Sequence, residues 1–282
     1  MITKATKLDQ GLILDYCMAE PNINIFIIGD IETHGFESDF QDVWVQTKPN
    51  ILLKNGDETL PNPLTGIVLR YHDNFIVYSQ KNDMDFFEVL DFLQIQSKTH
   101  QVNIISGKKS VVEPLYLALG KDYSKREMSF CALKDASKLL SDTTKTLIAT
   151  VSDAREIAET YGQIAEFAGL YSADPERRYQ QIAKRIESGE GVHVVVRGAN
   201  GPIISHGNTT AETSVSAMIG GVFTLPEHRR NGYASTIVSA LCHALIKKGK
   251  SACLFYDNPE SERLFKKLGF ETIENWTILG RQ

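Results

Sequence analysis

The chain has 282 residues, 42% of them hydrophobic, and a formal net charge of −5. That length exceeds what one compact core usually fills and suits two domains. The acidic balance argues against nucleic acid as a partner, because binding a phosphate backbone calls for a basic face. The most apolar short run, Ile23 to Ile31, is broken by Asn24, Gly29 and Asp30, far short of the roughly 20 apolar residues of a membrane span. The first residues show neither the apolar core nor the cleavage site of a secretion signal. A cytoplasmic protein with no membrane partner is expected. Cys17, Cys131, Cys242 and Cys253 form no C-x-x-C pair and read as reduced, buried thiols. The seven histidines show no H-x-x-x-H spacing, so no metal site is expected and structural or surface roles are the default for each.

Periodicity predicts helices near 8–19 and 22–35, strands at 42–47, 66–71 and 75–79, a helix at 84–94, a strand at 103–106, a helix at 111–119 and a strand at 126–133. Asn55-Gly56 and Pro61-Asn62-Pro63 mark a loop excursion between strands. Within the polar stretch 134–145, residues 136–145 serve as a linker between domains at 1–135 and 146–282. Beyond it come a strand at 146–151, helices at 153–167 and 175–188, and strands at 192–197, 203–208 and 213–224. A helix at 233–248, a strand at 251–256 and a short helix closing in Leu268-Gly269-Phe270 complete the chain. Asp153 and Asp174 suit helix N-caps, and Pro175 suits a first helical position.

From Ile219 to Ala234 an apolar strand runs into a basic, glycine-containing turn that opens a helix. Helix N-termini leave backbone N–H groups unpartnered and carry partial positive charge, so a phosphate placed there satisfies donors and dipole together. Arg229 and Arg230 add cations, Gly232 permits backbone angles or an approach that a side chain would forbid, and Ala234 keeps the first turn small. Neither Gly-Lys nor a following hydroxyl residue is present, which excludes a nucleoside-triphosphate loop. Only one glycine of a Gly-x-Gly-x-x-Gly set appears, which disfavours a dinucleotide fold. Gly220-Gly221 in the strand either marks a bulge or eases packing.

The pattern Arg229-x-x-Gly232-x-Ala234 resembles the Arg/Gln-x-x-Gly-x-Gly/Ala signature of the GCN5-related N-acetyltransferases. The chain after it resembles the family in order: Asn258, the small Ser261, an aromatic Phe265 and Gly269-Phe270. The resemblance spans about residues 145–282. It implies acetyl-CoA as cosubstrate and no metal. Its pyrophosphate would lie on Arg229, Arg230, Asn231, Gly232, Tyr233, Ala234 and Ser235. Its pantetheine arm would run between Asn258 and the splayed strand end Val222, Phe223 and Thr224, with Phe265 against it. Family members often place a basic carboxylate on the long strand, which here has none. Glu212, just before it, is the candidate general base, acting through water, or else a solvated turn residue. Phe265 stands where a proton-donating tyrosine is common, so either Tyr256 or solvent would protonate the departing thiolate.

The implied fold is α/β, a mixed, mostly antiparallel sheet flanked by helices (the acyl-CoA N-acyltransferase fold), present twice. Leu115 to Gly120 echoes Leu264 to Gly269, yet Ser79 to Asp85 has no glycine or arginine and two carboxylates where the first copy's pyrophosphate loop belongs. That copy is therefore read as degenerate and unable to bind the cofactor. The layout looks like two-domain bacterial acetyltransferases related to the glycine N-acyltransferase branch, acting on the amine of a small molecule or amino acid. A non-catalytic acyl-CoA-binding sensor or assembly module is the other reading.

Overall fold

The computed structural model describes residues 1–48, 63–167, 174–199 and 201–282. The turn signals at Asn55-Gly56 and Pro61-Asn62 lie outside them. In chain order the elements are β1 (Ile2–Lys4), α1 (Gln10–Met18), α2 (Ile25–His34), β2 (Gln41–Thr47), β3 (Leu64–Tyr71), β4 (Asn74–Tyr78), α3 (Phe86–Gln96), β5 (Ile104–Lys108), α4 (Lys109–Leu119) and β6 (Tyr123–Leu133). They continue with β7 (Leu147–Ile148), α5 (Ala154–Tyr161), α6 (Pro175–Ser188), β8 (His193–Arg197), β9 (Ile203–Glu212), β10 (Ser216–Thr224), α7 (Tyr233–Lys247), β11 (Ser251–Tyr256), α8 (Pro259–Lys267) and β12 (Phe270–Arg281). The chain divides into two units, Met1–Phe130 with Thr272–Gln282, and Cys131–Glu271.

The two units repeat one topology. In the first, β1, β2, β3 and β4 pair antiparallel in succession, and β4 pairs parallel with β5. In the second, β7, β8, β9 and β10 pair antiparallel, and β10 pairs parallel with β11. Two helices follow the first strand of each set and one helix supplies the parallel crossover, as a parallel connection requires. The first unit is completed by the C-terminal strand, β12, which pairs antiparallel with β5 from Trp276↔Lys108 to Gly280↔Ile104. Residues 272–282 thus return to the first unit, although the linear reading placed them with 146–282.

The core of the second unit lies on both faces of its sheet. Val194 and Val196 pack with Ile237, Val238, Leu241 and Leu245 of α7. Val195, between them in sequence, packs with Ile157 and Tyr161 of α5 and Ile182 of α6, as the alternation of strand side chains dictates. Local signals act where expected: the Asp174 carboxylate accepts from the Glu176 amide at 2.9 Å at the start of α6. The helix expected over 153–167 ends instead at Tyr161, followed by a single 3-10 turn at Ala165–Phe167. The strand expected at 213–224 starts at Ser216, because the Thr213 hydroxyl accepts from the Val215 and Ser216 amides and folds 213–215 into the β9–β10 turn.

All four cysteines are buried free thiols. Among the described residues no helix is long and apolar enough to cross a membrane, and no cluster of histidine, cysteine and carboxylate side chains could hold a metal ion.

Leu279 of β12 is 0% exposed and packs in the first unit's core with Phe75, Val77 and Ile105. Truncating it in Leu279→Ala should therefore destabilise that unit by about 2–5 kcal/mol. A urea midpoint unchanged from wild type would contradict this placement of the C-terminal strand.

Candidate functional site

The site is built where β10 leaves β11. Their parallel ladder runs from Ser216↔Ser251 to Met218↔Cys253, so β10 has no register partner on β11 from Ile219 onward. On its other edge β10 stays with β9 as far as Thr224↔Ser205, but with a register shift between Gly220↔Asn208 and Phe223↔His206. Residues 221 and 222 thus face one residue of β9, which is a β-bulge. Gly221 sits there at φ 58°, and a Cβ would meet the Tyr161 hydroxyl at 2.2 Å and Asn208 Oδ1 at 2.4 Å. Both the left-handed backbone and the missing space demand glycine.

From Thr224 the chain passes through one 3-10 turn, Pro226–His228, into the basic loop. Arg230 at φ 64° and Gly232 at φ 81° flank Asn231. Left-handed residues alternating with ordinary ones form the backbone pattern of anion-binding nests. The Asn231 side-chain amide donates to the His228 and Arg229 carbonyls at 3.1 and 3.3 Å and braces the turn. Gly232, which has no side chain to offer, is the N-cap of α7, and no side-chain bond to that helix start is found among the described residues; the first intrahelical bond runs from the Thr236 amide to the Gly232 carbonyl at 3.0 Å. The amides of Tyr233, Ala234 and Ser235 are thus placed for an external acceptor, and the dipole favours an anion there.

The two arginines divide the work. Arg229 Nε donates to the Thr224 carbonyl at 3.1 Å. Its guanidinium pairs with both oxygens of Glu166, Nη1–Oε1 at 2.9 Å and Nη2–Oε2 at 3.3 Å, and holds the Glu166 carboxyl below its usual range. Arg229 therefore shapes the loop, whereas Arg230 is exposed and makes no ion pair among the described residues. The expectation of two cations aimed at one spot reduces to one free cation and one structural one.

Residues 208–278 match the FR47-like protein family. Three solved structures resemble the chain over nearly its full length. An acetyltransferase from the GNAT family of Colwellia psychrerythraea shares 13% identity over 100% of both chains, with a TM-score of 0.58. A GCN5-related N-acetyltransferase from Sphaerobacter thermophilus shares 14% identity over 99% of this chain and 94% of its own, with a TM-score of 0.61. A tandem GNAT protein from the clavulanic acid biosynthesis pathway, solved without AcCoA, shares 13% identity over 99% and 97%, with a TM-score of 0.59. No curated protein matches the sequence. This is a GNAT-fold chain.

The GNAT fold brings most of the sequence-selected residues to one end of the second sheet, the C-terminal ends of parallel β10 and β11. Val222 is half-buried, and Phe223 and Thr224 are buried. The Phe223 carbonyl already accepts from Ser205 Oγ at 2.7 Å and that of Thr224 from Arg229, which leaves the open edge before them for a ligand. Asn258 lies at the same end. Its Oδ1 caps α8 by accepting from the Ser261 amide at 2.9 Å, so this asparagine serves as an N-cap. Tyr256 and Phe265 are 8% and 7% exposed and pack with Phe270 in the core, with ring centroids 6.1 and 5.9 Å apart along the series. Phe265 thus belongs to the core, and so does the Tyr256 ring.

Glu212 is not brought to the site. It is paired with Ala217 at the start of β10, seven residues and about 23 Å of strand from Thr224. Lys250 and Lys248 bind its carboxylate at 2.7 and 3.6 Å. Burial pushes its pKa up, but the two lysines outweigh this and hold it below the usual carboxylate range. A carboxylate so held does not act as a base toward an acceptor at the other end of the strand.

The sequence reading missed a buried polar cluster behind the bulge. His206 Nδ1 lies 3.1 Å from the Gly221 carbonyl and 3.3 Å from the Tyr161 hydroxyl, and His206 Nε2 lies 3.1 Å from His193 Nδ1. The Tyr161 hydroxyl also donates to Asn208 Oδ1 at 3.4 Å. The signal was a lone histidine inside the strand pattern Ile-Ile-Ser-His-Gly-Asn, which surface or core packing explained equally well. Burial, then the charge of His193, pushes the His206 pKa down to about 3; burial, then Arg185, pushes that of His193 down to about 4. Taking a proton from an amine of pKa about 8 would then be at least four units uphill, more than about 5 kcal/mol, so this pair is no general base.

A histidine kept neutral by the fold contributes stability that is full above its unfolded pKa of about 6.5 and is lost as pH falls toward the folded value. Lowering the pH from about 7.5 to 5.5 should cost roughly 2.5–3 kcal/mol through this pair. A double variant, His193→Leu with His206→Leu, should lose that dependence in urea titrations at the two pH values. The comparison also cancels the opposite effect of Asp30, whose carboxyl burial raises to about 7. Equal pH slopes in the two proteins would refute the buried, neutral state.

Proposed function

We propose that the chain is an acetyl-CoA-dependent N-acetyltransferase that acetylates the amine of a small molecule or amino acid. The observation that carries this is the pairing of an uncapped helix start at Tyr233 with a strand whose edge is open from Ile219. One can take a pyrophosphate and the other an extended pantetheine chain, and they adjoin through the Arg229–Gly232 loop. Acetyl-CoA supplies the thioester; the chain's own residues bind and orient it. The exposed Arg230 side chain adds charge at the pyrophosphate, and backbone donors at the fork can stabilise an oxyanion.

The acceptor class follows from the lack of a free base at the fork among the described residues. With Glu212 held by two lysines and the buried histidines unable to take a proton, an acceptor of low basicity is favoured. Freeing an α-amine of pKa about 8 at neutral pH costs about 1–1.5 kcal/mol, against roughly 4–5 for a lysine-type amine. This supports amino acids or other weakly basic amines. It also supports a cytoplasmic setting, where four reduced thiols persist.

The first unit fits a degenerate copy. Its β4–β5 ladder continues to Val77↔Gly107, one residue from the end of both strands. The equivalent helix start is already capped, with Asp85 Oδ1 accepting from the Phe87 and Glu88 amides at 3.1 and 3.2 Å. The degenerate copy is proposed to bind no cofactor.

The core position of Phe265 and the displacement of Glu212 are what support a second reading, an acyl-CoA-binding sensor. Calorimetric titration with acetyl-CoA should give one site per chain, and Gly232→Glu, which puts a carboxylate beside the helix start, should weaken it about fiftyfold or more. Two sites would overturn the degenerate first copy, and no site would overturn the cofactor reading. Coenzyme A release above the hydrolysis rate across a panel of α-amines would establish the enzyme over the sensor.

A further inference from the structure

The Tyr161–His206–His193 cluster has a direction. A carbonyl oxygen only accepts, so the 3.1 Å contact of Gly221 with His206 Nδ1 places the ring hydrogen on Nδ1 and leaves Nε2 as an acceptor. His193 Nδ1, 3.1 Å from that Nε2, must then be the donor. This leaves His193 Nε2 a bare lone pair, and it is a buried atom with no hydrogen-bond partner among the described residues. The Phe223 ring stacks on His206 with centroids 5.6 Å apart and planes at 28°, while Tyr161 meets it edge-on at 5.5 Å. A leucine or phenylalanine would fill the same space without an orphaned polar atom. What the histidine adds is one directed N–H at the bulge carbonyl.

We infer that His206 is a positioning residue for the acyl end of acetyl-CoA: by holding the Gly221 carbonyl it sets the bulge that turns the open edge of β10, Ile219 to Val222, toward the thioester, and His193 fixes the tautomer this requires. The inference rests on the cofactor reading above. Chain groups alone perform the step, and no proton leaves the cluster. Because Val222 is itself one of the two bulge residues and the loop begins only after Thr224, loss of this bond should disturb the acyl end of the ligand and spare the nucleotide end.

The test compares two ligands on three proteins. Acetyl-CoA spans loop and fork, whereas adenosine 3′,5′-bisphosphate lacks the pantetheine and acyl groups. His206→Leu should weaken acetyl-CoA about tenfold, the size of one well-made buried hydrogen bond, and leave the bisphosphate within about threefold. His206→Asn, whose side-chain amide can stand close to the imidazole Nδ1, should keep both ligands within about threefold of wild type. Equal losses for the two ligands in His206→Leu, or no loss for acetyl-CoA, would overturn the inference while the cofactor reading stands. A wild type that binds no acetyl-CoA would overturn both. If His206→Leu does not fold, nitrogen NMR of the intact protein decides: a His206 protonated on Nδ1 and bare on Nε2 is expected, and a hydrogen on Nε2 refutes the assignment.

Discussion

The second unit depends on one constraint: β10 cannot pair fully with both neighbours. Its bulge at Gly221 places two residues opposite one of β9, and a bulge bends its strand and increases the local twist. β10 follows β9 through that bend and parts from β11 after Met218. A side chain at 221 would collide with Tyr161 and Asn208, so these two residues and the glycine specify one another. The fork and the loop launched from Thr224 both follow from that local backbone geometry.

Charge at the site is arranged around backbone donors. The Arg229–Glu166 pair is partly exposed, with side chains 35% and 58% accessible, and such pairs add about 0–1 kcal/mol at most. Its value lies in geometry: two contacts to Glu166 and one to the Thr224 carbonyl hold a short loop in one shape. A preformed loop loses less entropy when an anion arrives than a flexible one would. Among the described residues no side chain caps α7, and an internal cap would compete with any anion for the same amides.

The loop was legible because its chemistry is local. A strand, a basic turn, a glycine and a helix start occupy sixteen consecutive residues from Ile219 to Ala234, and each has a backbone reason to be where it is. Apolar alternation likewise marked most of the strands and the 3.6-residue period most of the helices, though not the short β1 (Ile2–Lys4). Catalytic assignments were harder to read because they depend on what lies across space. Glu212 is near the long strand in sequence, but strand direction sends it to the wrong end, where Lys248 and Lys250 arrive from the α7–β11 connection. His193, His206 and Tyr161 come from three elements and acquire meaning only when the bulge gathers them. The return of β12 to the first unit was equally invisible, since composition orders domains along the chain and the strand pairs with β5, which lies more than 150 residues earlier.

The first unit shows how little is needed to close such a fork. It has the same order of strands and the same parallel pair, yet where β10 and β11 separate, β4 and β5 stay together and their ends are tied by side chains. Lys108 at the end of β5 is buried, bonded to Glu20 at 3.0 Å and to the Gln80 carbonyl at 3.4 Å, while the Tyr78 hydroxyl donates to the same Glu20 carboxylate at 2.9 Å. A buried lysine is costly without a carboxylate partner, and Lys108 has two, the half-buried Glu20 at 3.0 Å and Glu274 at 4.0 Å. Such a network, once formed, resists piecemeal change. The Asp85 cap completes the closure by using amides that in the second unit remain open. Two units with one topology therefore differ at the fork through a handful of side chains: in one the polar groups satisfy each other, and in the other the amides at the helix start have no side-chain cap among the described residues.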